Sequence, residues 1–562
     1  MHLLALNFSL DSAAVVLDDG KPVAAALQER FDRVKHSSAY PTGAIDFCLR
    51  SAGVSLENIE AVAVSWNPAV HLHAPNRLRE TTYRDQREYL EIIPAKLLAL
   101  ADREDVGDHL EMRLPIGDRT LAVHFFDHHL CHAAGAYYAS RFPDAAILTA
   151  DGYGERISTL RAVGRDGRLE TLGSVPFPHS LGSVYAAVTE FLGFRPNNGE
   201  GKVMALAGMG DSERFRTEFD RILRTHAGGF EVDLSYFSYF QRGRHRFSPK
   251  FVQAFGSPRR PDGDLTADHL DLAAALQEAV ERVLLHLARE LREETGAPRL
   301  CLAGGVMLNA VAMGRLEREA GFEEIFILPP AHDGGGPLGA AFLLSDHLGV
   351  TPRLSEPYTD HLGPSFDDES VLRALSKYNL HHQKLENPAA VAADMIARGS
   401  IIGWMNGAME YGPRALGARS ILADPRDPAA KQRANAKVKY REEFRPFAPV
   451  CTLGGVDEFF ENARATPFMN KVVRALPESV ERIPAVVHYD GSVRLQTVTR
   501  SEDEALFDLL SHFEAATGVP MVLNTSFNKR GDPICASVED ALACLYTSGL
   551  DAVILGSYLL EK

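Results

Sequence analysis

Hydrophobic and polar residues follow the same order in two distant segments of the chain, residues 3–28 and 145–175. Each segment predicts an apolar strand, an acidic turn, a second strand, a glycine-containing hairpin and a third strand. A repeated unit of this kind predicts two related lobes, whose turn carboxylates can point into a cleft. The alternative is that the two segments are unrelated hairpins of an ordinary α/β protein.

Helical periodicity begins after the second repeat. Apolar residues recur every three to four positions over 265–296, which predicts one long helix with Thr266 as its cap. Two strand–glycine loop–helix units follow, "RLCLAGGVMLNAVAMGRL" and "IFILPPAHDGGGPLGAAFLL". Glycine lets the backbone approach a phosphate or purine, and a helix N-terminus favours an anion. The pair predicts nucleotide binding, with Gly304, Gly305 and Asn309 as candidate residues of the first loop.

The chain is too long for one hydrophobic core, because its 562 residues exceed the usual size of a domain. Proline and polar residues dominate 351–365, which favours an interdomain linker there. We predict an N-terminal domain over residues 1–352, a linker over 353–365 and a C-terminal domain over 366–562. The predicted fold class is α/β, with a duplicated N-terminal domain and an α+β C-terminal domain on a twisted sheet.

Charge and cysteine usage narrow the class of protein. The net charge of −16 argues against a large nucleic-acid interface, and no apolar run is long enough to span a bilayer. The six cysteines are scattered without a CxxC pair, which is typical of a reducing compartment. The first apolar stretch lacks a basic leader and is interrupted by Asp11, so it predicts a strand and not a signal peptide. We therefore expect a cytoplasmic protein without nucleic-acid or membrane partners.

Three histidines fall within five positions in "FFDHHLCHAAGAYY". Asp127 is the predicted cap of a helix that follows the strand "LAVHFF". His128 and His132 are four positions apart, so both rings lie on one helical face, as two ligands of one divalent ion would. His129 points about 100° away and is predicted to be an outer neighbour. The alternative is a helix terminus with ordinary, solvent-reaching histidines.

Two carboxylates favour the metal-site interpretation. Asp151 ends the apolar strand "AAILTAD", and Asp333 lies in the glycine-rich loop "AHDGGGPLG". Cleft sites of α/β proteins are built at such strand and loop ends. Two imidazoles with two carboxylates form a mixed nitrogen and oxygen site, which suits Fe(II), Mn(II) or Zn(II).

The C-terminal domain contains the most basic stretch of the chain. Nine lysines and arginines and four acids lie between Arg414 and Arg445. Several of the arginines stand beside glycine or proline, which favours a concave site where Arg forks meet phosphate oxygens. A solvated helix over 428–441 is the alternative for part of the set. Downstream, Arg494 lies in a predicted strand, and Asn524 and Ser526 lie at the end of another, where their amide and hydroxyl groups can hydrogen-bond a phosphate.

Five motifs together resemble one enzyme family: the HxxxH helix, "TADGYGE", "EGKVMALAGMG", "GGVMLN" and "HDGGGPLGAA". They are similar to the O-carbamoyltransferases of antibiotic and nodulation-factor biosynthesis, such as the nebramycin and cephamycin enzymes. The first domain of that family is similar to the universal tRNA threonylcarbamoyl-transfer protein, an actin/sugar-kinase-like fold. The resemblance implies one metal ion, usually iron, held by His128, His132, Asp151 and Asp333. It also implies a catalytic role for Asp11 and a nucleotide contact for Lys202, beside the residues of the first glycine loop.

The C-terminal domain resembles the enzymes that make threonylcarbamoyl-adenylate, which implies chemistry in two stages. Carbamoyl phosphate becomes a carbamate equivalent that attacks the α-phosphate of Mg²⁺-bound ATP, giving carbamoyl-adenylate and pyrophosphate. A hydroxyl of a small-molecule natural product then attacks the carbamoyl carbon in the N-terminal domain, and AMP leaves. The resemblance assigns binding of carbamoyl phosphate and nucleotide to Arg414, Arg445, Arg494 and Ser526, of which Arg494 and Ser526 are predicted to be catalytic. The implied helpers are Lys437, Arg419 and Asn524.

The sequence departs from the family at one position. The N-terminal strand of the family usually carries a His-Asp pair, with the histidine near the reacting hydroxyl, and here the pair is Leu10-Asp11. Leucine cannot act as an acid, a base or a hydrogen-bond donor. The substitutes that the sequence offers, without ranking them, are His2, His36, His124 and His129.

Other interpretations stay open on the sequence alone. A sugar or acetate kinase shares the predicted fold, and a non-catalytic nucleotide-binding protein would explain the leucine. A tRNA threonylcarbamoyl enzyme and a hydrogenase-maturation carbamoyltransferase are further alternatives. The acceptor is not encoded in a recognisable motif, and segments 67–120 and 212–262 are its candidate walls. A homodimer is an expectation from the family.

Overall fold

The computed structural model describes residues 1–68, 109–116, 118–241, 245–352, 354 and 356–562. The chain divides into two compact units. The first unit comprises Met1–Val23 and Cys48–Tyr358, and the second comprises Ala24–Phe47 and Thr359–Lys562. The boundary at Tyr358 falls inside the segment predicted as a linker.

One segment departs from the predicted division, because Ala24–Phe47 belongs to the second unit and not to the N-terminal one. Within the second unit, the amide of Ala25 donates to the carbonyl of Leu362 at 3.0 Å. The Arg33 guanidinium donates to the carbonyls of Pro533 and Ile534 at 3.0 and 2.7 Å. These contacts join residues hundreds of positions apart, which a local sequence pattern does not encode.

The described strands between His2 and Ile327 form two large sheets and a small hairpin. In the first sheet the strand order is β3-β2-β1-β4-β6-β5, and in the second it is β13-β12-β7-β8-β9. The bounds of the strands are β1 His2–Asn7, β2 Ala13–Asp18, β3 Lys21–Leu27, β4 Ile59–Val64, β5 His109–Ile116, β6 Arg119–Phe126, β7 Asp144–Ala150, β8 Ile157–Arg165, β9 Arg168–Pro176, β10 Leu223–His226, β11 Gly229–Val232, β12 Arg299–Ala303 and β13 Glu324–Ile327.

The two large sheets repeat one topology. In each, a meander of three antiparallel strands is continued by two parallel strands: β1 pairs with β2 and then β4, as β7 pairs with β8 and then β12. The segments predicted as repeats are therefore β1–β3 and β7–β9, and the duplicated α/β fold is confirmed. The first sheet differs in one respect, because β5 adds an antiparallel edge strand to β6.

The helices of the chain up to the end of the first unit follow the predicted pattern. The long helix runs from Ala267 to Thr295 with Thr266 as its N-cap. Residues His128–Ser140 form a second helix, here called the histidine helix, and Gly336–His347 form a third, here called the glycine helix. The remaining α-helices are Glu29–Asp32, Thr42–Ser51, Leu181–Phe191, Glu200–Ala207, Arg216–Ile222, Pro249–Phe255 and Ala310–Glu319.

The histidine helix and the glycine helix approach each other closely because each has a glycine at the contact. A Cβ atom on Gly339 would overlap the carbonyl oxygen of Cys131, and one on Gly135 would lie 3.5 Å from the amide nitrogen of Gly339. A larger side chain at either position would force the helices apart. This contact fixes the histidine helix against the helix that follows Asp333.

The aromatic residues of segment 212–262 pack against each other and not along an open wall. Phe219, Phe230 and Phe251 are buried, and the rings of Phe251 and Phe255 lie 4.4 Å apart between centroids. The second candidate wall, 67–120, lies largely outside the described residues. An acceptor-binding surface is therefore not indicated by the aromatic composition of segment 212–262.

The second unit is built on one mixed sheet of nine strands. Their order is β14-β22-β21-β15-β16-β20-β17-β19-β18. The strands are β14 Gln383–Lys384, β15 Ile402–Met405, β16 Arg419–Ala423, β17 Ala448–Thr452, β18 Lys471–Arg474, β19 Ser492–Val498, β20 Met521–Ser526, β21 Ala552–Leu555 and β22 Tyr558–Glu561. The α-helices from residue 359 onward are Asp368–Lys377, Pro388–Ala397, Pro428–Arg433, Glu504–Thr517 and Val538–Thr547.

A π-helical turn, Ala434–Lys439, continues the short helix Pro428–Arg433. The sheet and helices of this unit enclose a large apolar core that includes Trp404, Phe459 and Phe513. Among the helices that the structure describes, none combines the length and the hydropathy needed to cross a bilayer.

We expect Gly339→Ala to destabilise the first unit by about 1–3 kcal/mol, because the added methyl group must push the two helices apart. The matched control is Gly201→Ala, since Gly201 is also helical but a Cβ there meets no atom within 4 Å. That change should be neutral or stabilising by up to about 1 kcal/mol. Chemical denaturation of both variants measures the difference, and equal effects would contradict the packing argument.

Candidate functional site

The first candidate site lies at the start of the histidine helix. Asp127 caps this helix by accepting a hydrogen bond from the amide of Leu130 at 3.0 Å, as predicted. His128 and His132 stand on one face, with their Nε2 atoms 3.1 Å apart. Both rings are almost completely buried, at 2% and 0% exposure, so they are not solvent-reaching surface histidines.

Asp151 and Asp333 complete this site. The Oδ2 atom of Asp151 lies 3.2 Å from His132 Nε2 and 3.8 Å from His128 Nε2. The Oδ1 atom of Asp333 lies 3.7 Å from His128 Nε2. One ligand atom from each of the four residues lies within 4.8 Å of the others. The four residues that the sequence singled out are thus brought together by three separate elements of the fold.

The electrostatics of the site favour a cation. Burial disfavours a charge on His128, but the carboxylates of Asp151 and Asp333 outweigh it and raise the pKa of His128 to about 10. Burial lowers the pKa of His132 to about 4, helped by repulsion from His128. The two aspartates therefore hold a single positive charge between them. A divalent ion would replace that proton, and the two imidazoles and two carboxylates fit Fe(II), Mn(II) or Zn(II).

Glu155 is a functional residue that the sequence analysis did not identify. Its buried carboxylate accepts hydrogen bonds from the amide of His128 at 3.1 Å and from that of Asn67 at 2.7 Å. Burial raises the pKa of Glu155 well above its usual value. The carboxylate anchors the first turn of the histidine helix and so orients one ligand. The sequence signal that could have identified Glu155 was its place in the motif "TADGYGE", four residues after Asp151.

His129 takes the outer position that its sequence position predicted. Its Nδ1 atom lies 2.7 Å from the hydroxyl of Thr149, and its ring packs against Gly154. A Cβ atom on Gly154 would lie 2.5 Å from this ring, so the space beside it requires a glycine. His129 therefore supports the histidine helix and does not belong to the group of four ligands.

The residues predicted to bind nucleotide in the first unit have structural contacts of their own. The amide of Gly305 donates to Asp151 Oδ2 at 2.9 Å and so orients a predicted metal ligand. Gly304 has φ +98°, and a Cβ there would overlap the carbonyl of Ala150. Asn309 caps the helix Ala310–Glu319 and exchanges two hydrogen bonds with Gln277.

Lys202 places its ammonium 5.1 Å from the centroid of the Phe194 ring. Nucleotide binding by Lys202 and by the residues of the first glycine loop stays a prediction.

Asp11 stands next to a histidine that the sequence analysis did not list. Its Oδ2 atom lies 3.6 Å from Nδ1 of His332, which is the residue before Asp333. The Asn7 side chain donates to the carbonyls of Leu10 and Asp11, and more weakly to that of Asp333. Asp11, in a left-handed conformation with φ +55°, is thus tied to the same corner of the unit as the metal ligand.

The four suggested substitutes for the missing histidine lie in different surroundings. His2 lies 3.3 Å from Asp18, and His124 lies 2.9 Å from His109. His129 supports the helix as described, and His36 belongs to the second unit. Of the histidines in the described part of the first unit, His332 is the one that lies within ion-pair distance of Asp11.

The second candidate site is a pocket of positive charge in the second unit. Arg494 lies on β19, Arg414 follows β15, and Arg445 precedes β17. Burial lowers the pKa of Arg494 well below its usual value, and repulsion from Arg414 and two further arginines adds to this. Burial and Arg445 together lower the pKa of Arg414 to about 10. The three arginines predicted to bind anions are thus close enough to repel each other.

Two further cations of this pocket were absent from the predicted set. Arg441 has a pKa lowered to about 9 by burial and by Arg445, and its guanidinium stacks 4.2 Å from the centroid of the Phe447 ring. Lys439 is buried, and its pKa is lowered well below the usual value by burial and then by Arg441. The charges of three arginines act on Arg494, and Glu442 offsets part of the charge of Arg445. A buried cluster of guanidinium groups that repel each other suits the binding of an anion.

Ser526 joins this pocket through Lys439. The ammonium of Lys439 donates to the hydroxyl of Ser526 at 3.1 Å and to Oδ1 of Asn528 at 2.6 Å. The Asn524 side chain donates to the carbonyl of Ala415 and to Gln496, and its buried Oδ1 atom has no hydrogen-bond partner within the described part of the chain. Predicted residues from β20 therefore lie beside the cations.

Arg419 and Lys437, the two basic residues predicted to be helpers, lie in different surroundings, and their role stays a prediction. The fully buried Arg419 donates to the carbonyls of Pro364, Asn406 and Gly407, so its guanidinium is committed to the loops around it. Lys437 is exposed, whereas Lys439 faces the pocket. The π-helical turn accounts for this difference, because its wider hydrogen-bond spacing changes which positions share a face.

Comparison with known proteins shows similarity along the whole chain. Residues 3–342 match the family model described as "Carbamoyltransferase N-terminus", and residues 393–562 match "Carbamoyltransferase C-terminus". The chain is 38% identical to nodulation protein NolNO of Sinorhizobium fredii, covering 99% of this chain and 79% of that protein. It is 40% identical to nodulation protein NolO of Bradyrhizobium diazoefficiens, covering 78% of this chain and 79% of that protein. An uncharacterized protein of Synechocystis sp. is 36% identical over 100% of this chain and 97% of its own length.

We expect Asp151→Asn and Asp333→Asn each to weaken metal binding by at least about 100-fold, because each removes a charged ligand from the group of four. Asp346→Asn is the matched control, since this exposed aspartate lies on the glycine helix and belongs to no ligand group. Equilibrium dialysis against Fe(II), Mn(II) or Zn(II) with metal analysis measures the affinities. Unchanged affinity in both ligand variants would show that the metal binds elsewhere.

We expect Arg494→Met to stabilise the ligand-free protein, with a Tm increase of about 3 °C for each kcal/mol gained. A pKa lowered by folding means that the charged guanidinium is less stable in the folded state than in the unfolded state. Removing that charge therefore raises stability at neutral pH. The control Arg426→Met should lower the Tm, because Arg426 pairs with Asp424 at 2.7 Å. A lower Tm for both variants would contradict the like-charge repulsion.

Proposed function

Because the chain belongs to the carbamoyltransferase family, we propose that it is an ATP-dependent O-carbamoyltransferase that acts through carbamoyl-adenylate. The observation that carries the proposal is the pocket of buried arginines in the second unit, in which neighbouring guanidinium groups repel Arg494 and Arg414. Such a pocket suits two highly anionic substrates, carbamoyl phosphate and ATP, that repel each other in water. The metal-ligand group of the first unit is the second support.

The adenylation half-reaction is assigned to the second unit. Water releases phosphate from carbamoyl phosphate to leave carbamate, whose oxygen attacks the α-phosphate of ATP and expels pyrophosphate. Arg414, Arg445 and Arg494 neutralise the phosphate oxygens and bring the two anions together. Lys439 donates to the Ser526 hydroxyl at the edge of this pocket. That hydroxyl donates to Oδ1 of Asn528 at 2.7 Å, and we propose that it turns to a phosphate or carbamoyl oxygen when substrate binds.

The transfer half-reaction is assigned to the first unit. The acceptor hydroxyl attacks the carbamoyl carbon, the bond to AMP breaks, and the hydroxyl proton is released. A divalent ion held by His128, His132, Asp151 and Asp333 would polarise the carbamoyl carbonyl when bound. Glu155 and the amide of Gly305 hold two of these ligands in place. Asp11 follows Leu10 in the sequence and lies 3.6 Å from His332, the residue before Asp333.

The acceptor is proposed to be a small molecule with a free hydroxyl. The acidic balance of the chain, −16, disfavours a polyanionic acceptor such as tRNA. The relatives named nodulation proteins agree with a role in tailoring a small natural product.

The decisive test is pyrophosphate release from ATP by the metal-loaded protein, with and without carbamoyl phosphate. We expect release only when carbamoyl phosphate is present, and a loss of at least about 100-fold in Arg494→Ala, because the two anions are no longer held together. The control is Arg474→Ala, since Arg474 is an exposed arginine on β18, the strand paired with β19. Its activity should stay within about twofold, as expected for a solvated surface charge.

A second variant separates the two half-reactions. Asp151→Asn should keep pyrophosphate release and lose carbamoyl transfer to an added hydroxyl acceptor, because it alters only the first unit. Absence of pyrophosphate release from the wild-type protein under every condition would overturn the carbamoyl-adenylate mechanism and favour a kinase or a non-catalytic nucleotide-binding protein. Release without carbamoyl phosphate would also contradict it.

A further inference from the structure

Three histidines outside the site described above converge at the edge of the first sheet. His109 lies on the edge strand β5, His124 on the neighbouring strand β6, and His347 is the last residue of the glycine helix. One ring nitrogen from each lies within 4.8 Å of the others. The closest pair is Nε2 of His109 and Nδ1 of His124, at 2.9 Å. Three imidazoles from three elements thus share one small volume.

The strand register explains the convergence. In the antiparallel pair, His124 lies opposite Glu111, and His109 lies opposite Phe126. Residues opposite each other share one face of the sheet, and so do residues two apart on one strand. His109 and His124 therefore lie diagonally on the same face. The end of the glycine helix adds His347, whose ring centroid lies 4.8 Å from that of His109 and 5.4 Å from that of His124.

This cluster is separate from the metal-ligand group of His128. Asp333 precedes the glycine helix, whereas His347 ends it. The helix has 12 residues, which corresponds to a length of about 18 Å. One ion cannot be held at both ends of this helix.

The two strand imidazoles of the cluster, His109 and His124, are available as ligands at neutral pH. Burial lowers the pKa of His124 to about 4, and repulsion from a protonated His109 adds to this. Burial and His347 lower the pKa of His109 in the same way. Two other charged groups influence these rings, Glu111 and Arg113, and they form an ion pair of 3.4 Å with each other. A neutral imidazole has a lone pair to offer, and metal binding requires that form.

We propose that His109, His124 and His347 form a second metal site, which binds Zn(II) or a similar borderline divalent ion. Three imidazoles with no thiolate suit zinc, copper or nickel, and zinc commonly takes three histidines and a water. With Zn–N distances of about 2.0–2.1 Å, tetrahedral nitrogens lie about 3.3 Å apart, so the two strand histidines open by a few tenths of an ångström. The exposed His347 side chain turns toward them, and its solvent side leaves room for a water ligand.

The ion would tie the edge strand to a helix. Among the described strands, β5 pairs with β6 alone and stands at the edge of the sheet, and an edge strand presents a row of backbone groups on its outer side. A bond from His109 through the ion to His347 would join the edge strand to the end of the glycine helix. The site is therefore assigned a structural role that does not depend on the proposed carbamoyl transfer.

The test uses the full-length double variant Asp151→Asn/Asp333→Asn, which removes the first metal site, and Zn(II) alone as the probe. After chelator treatment, equilibrium dialysis should show about one zinc ion per chain, and His347→Ala in the same background should weaken binding by at least about 100-fold. Since His347 is exposed, this change does not remove a core side chain. The control is His381→Ala, an exposed histidine of the second unit, which should leave the affinity unchanged.

A spectroscopic readout identifies the ligands directly. With Co(II) as the probe, the parent Asp151→Asn/Asp333→Asn protein should show the absorption of a four-coordinate ion. Adding His347→Cys to this protein should give a thiolate-to-cobalt band, and its metal affinity should exceed that of His347→Ala. Equal zinc affinity in the parent, His347→Ala and His109→Ala variants would overturn the proposal. Absence of zinc binding by the parent variant at micromolar concentrations would overturn it as well.

Discussion

A charge that is removed from water must find an opposite charge, and each unit of this protein buries charges that the chain itself does not fully neutralise. In the first unit, Asp151 and Asp333 face two imidazoles and share a single proton held by His128. In the second unit, several buried guanidinium groups lie together, and repulsion between them helps to lower the pKa of Arg494 and of Arg414. Both arrangements are costly when empty, and both become favourable with a ligand of the opposite sign. The stability of the fold and the binding of a cation and of phosphate anions are therefore coupled.

Close helix packing is what allows the first of these arrangements to be built. The histidine helix supplies His128 and His132, and the glycine helix directly follows Asp333. The distance between the two helices therefore sets the distance between these ligands. Gly135 and Gly339 remove the side chains that would otherwise hold the helices apart. Gly305 positions Asp151, the remaining ligand, because its backbone amide donates a hydrogen bond to the Asp151 carboxylate. Glycine in these motifs thus has a positional function, beyond the nucleotide contact that the sequence pattern predicted.

Much of the fold and of the metal-ligand group could be predicted from the sequence, because the signals were local. Alternation of apolar residues located the two three-stranded meanders, and the i,i+4 spacing placed His128 and His132 on one face. Strand ends located Asp151 and the glycine loop located Asp333. Long-range contacts were not accessible in this way. The sequence therefore did not indicate that Ala24–Phe47 groups with the second unit, and Glu155 was overlooked.

The second unit shows a different limit of sequence reasoning. A run of basic residues indicated an anion site, but composition does not tell which of them face it. Arg419 has the same side chain as Arg494, yet its donors are used by carbonyl groups, and only the fold shows this. The choice between Lys437 and Lys439 depended on a turn whose hydrogen-bond spacing is unusual and has no simple composition signal.

That turn has a consequence for how related sequences should be compared. A π-helical turn accommodates one residue more than an α-helical turn of the same span, so it is the structural form of a one-residue insertion. A relative that lacks this residue would carry its lysine at a different position in the alignment while presenting it to the same pocket. A sequence alignment read one column at a time would then indicate that the relative lacks the lysine. Between Ala434 and Lys439, equivalence is better judged by the face on which the ammonium emerges than by its place in the alignment.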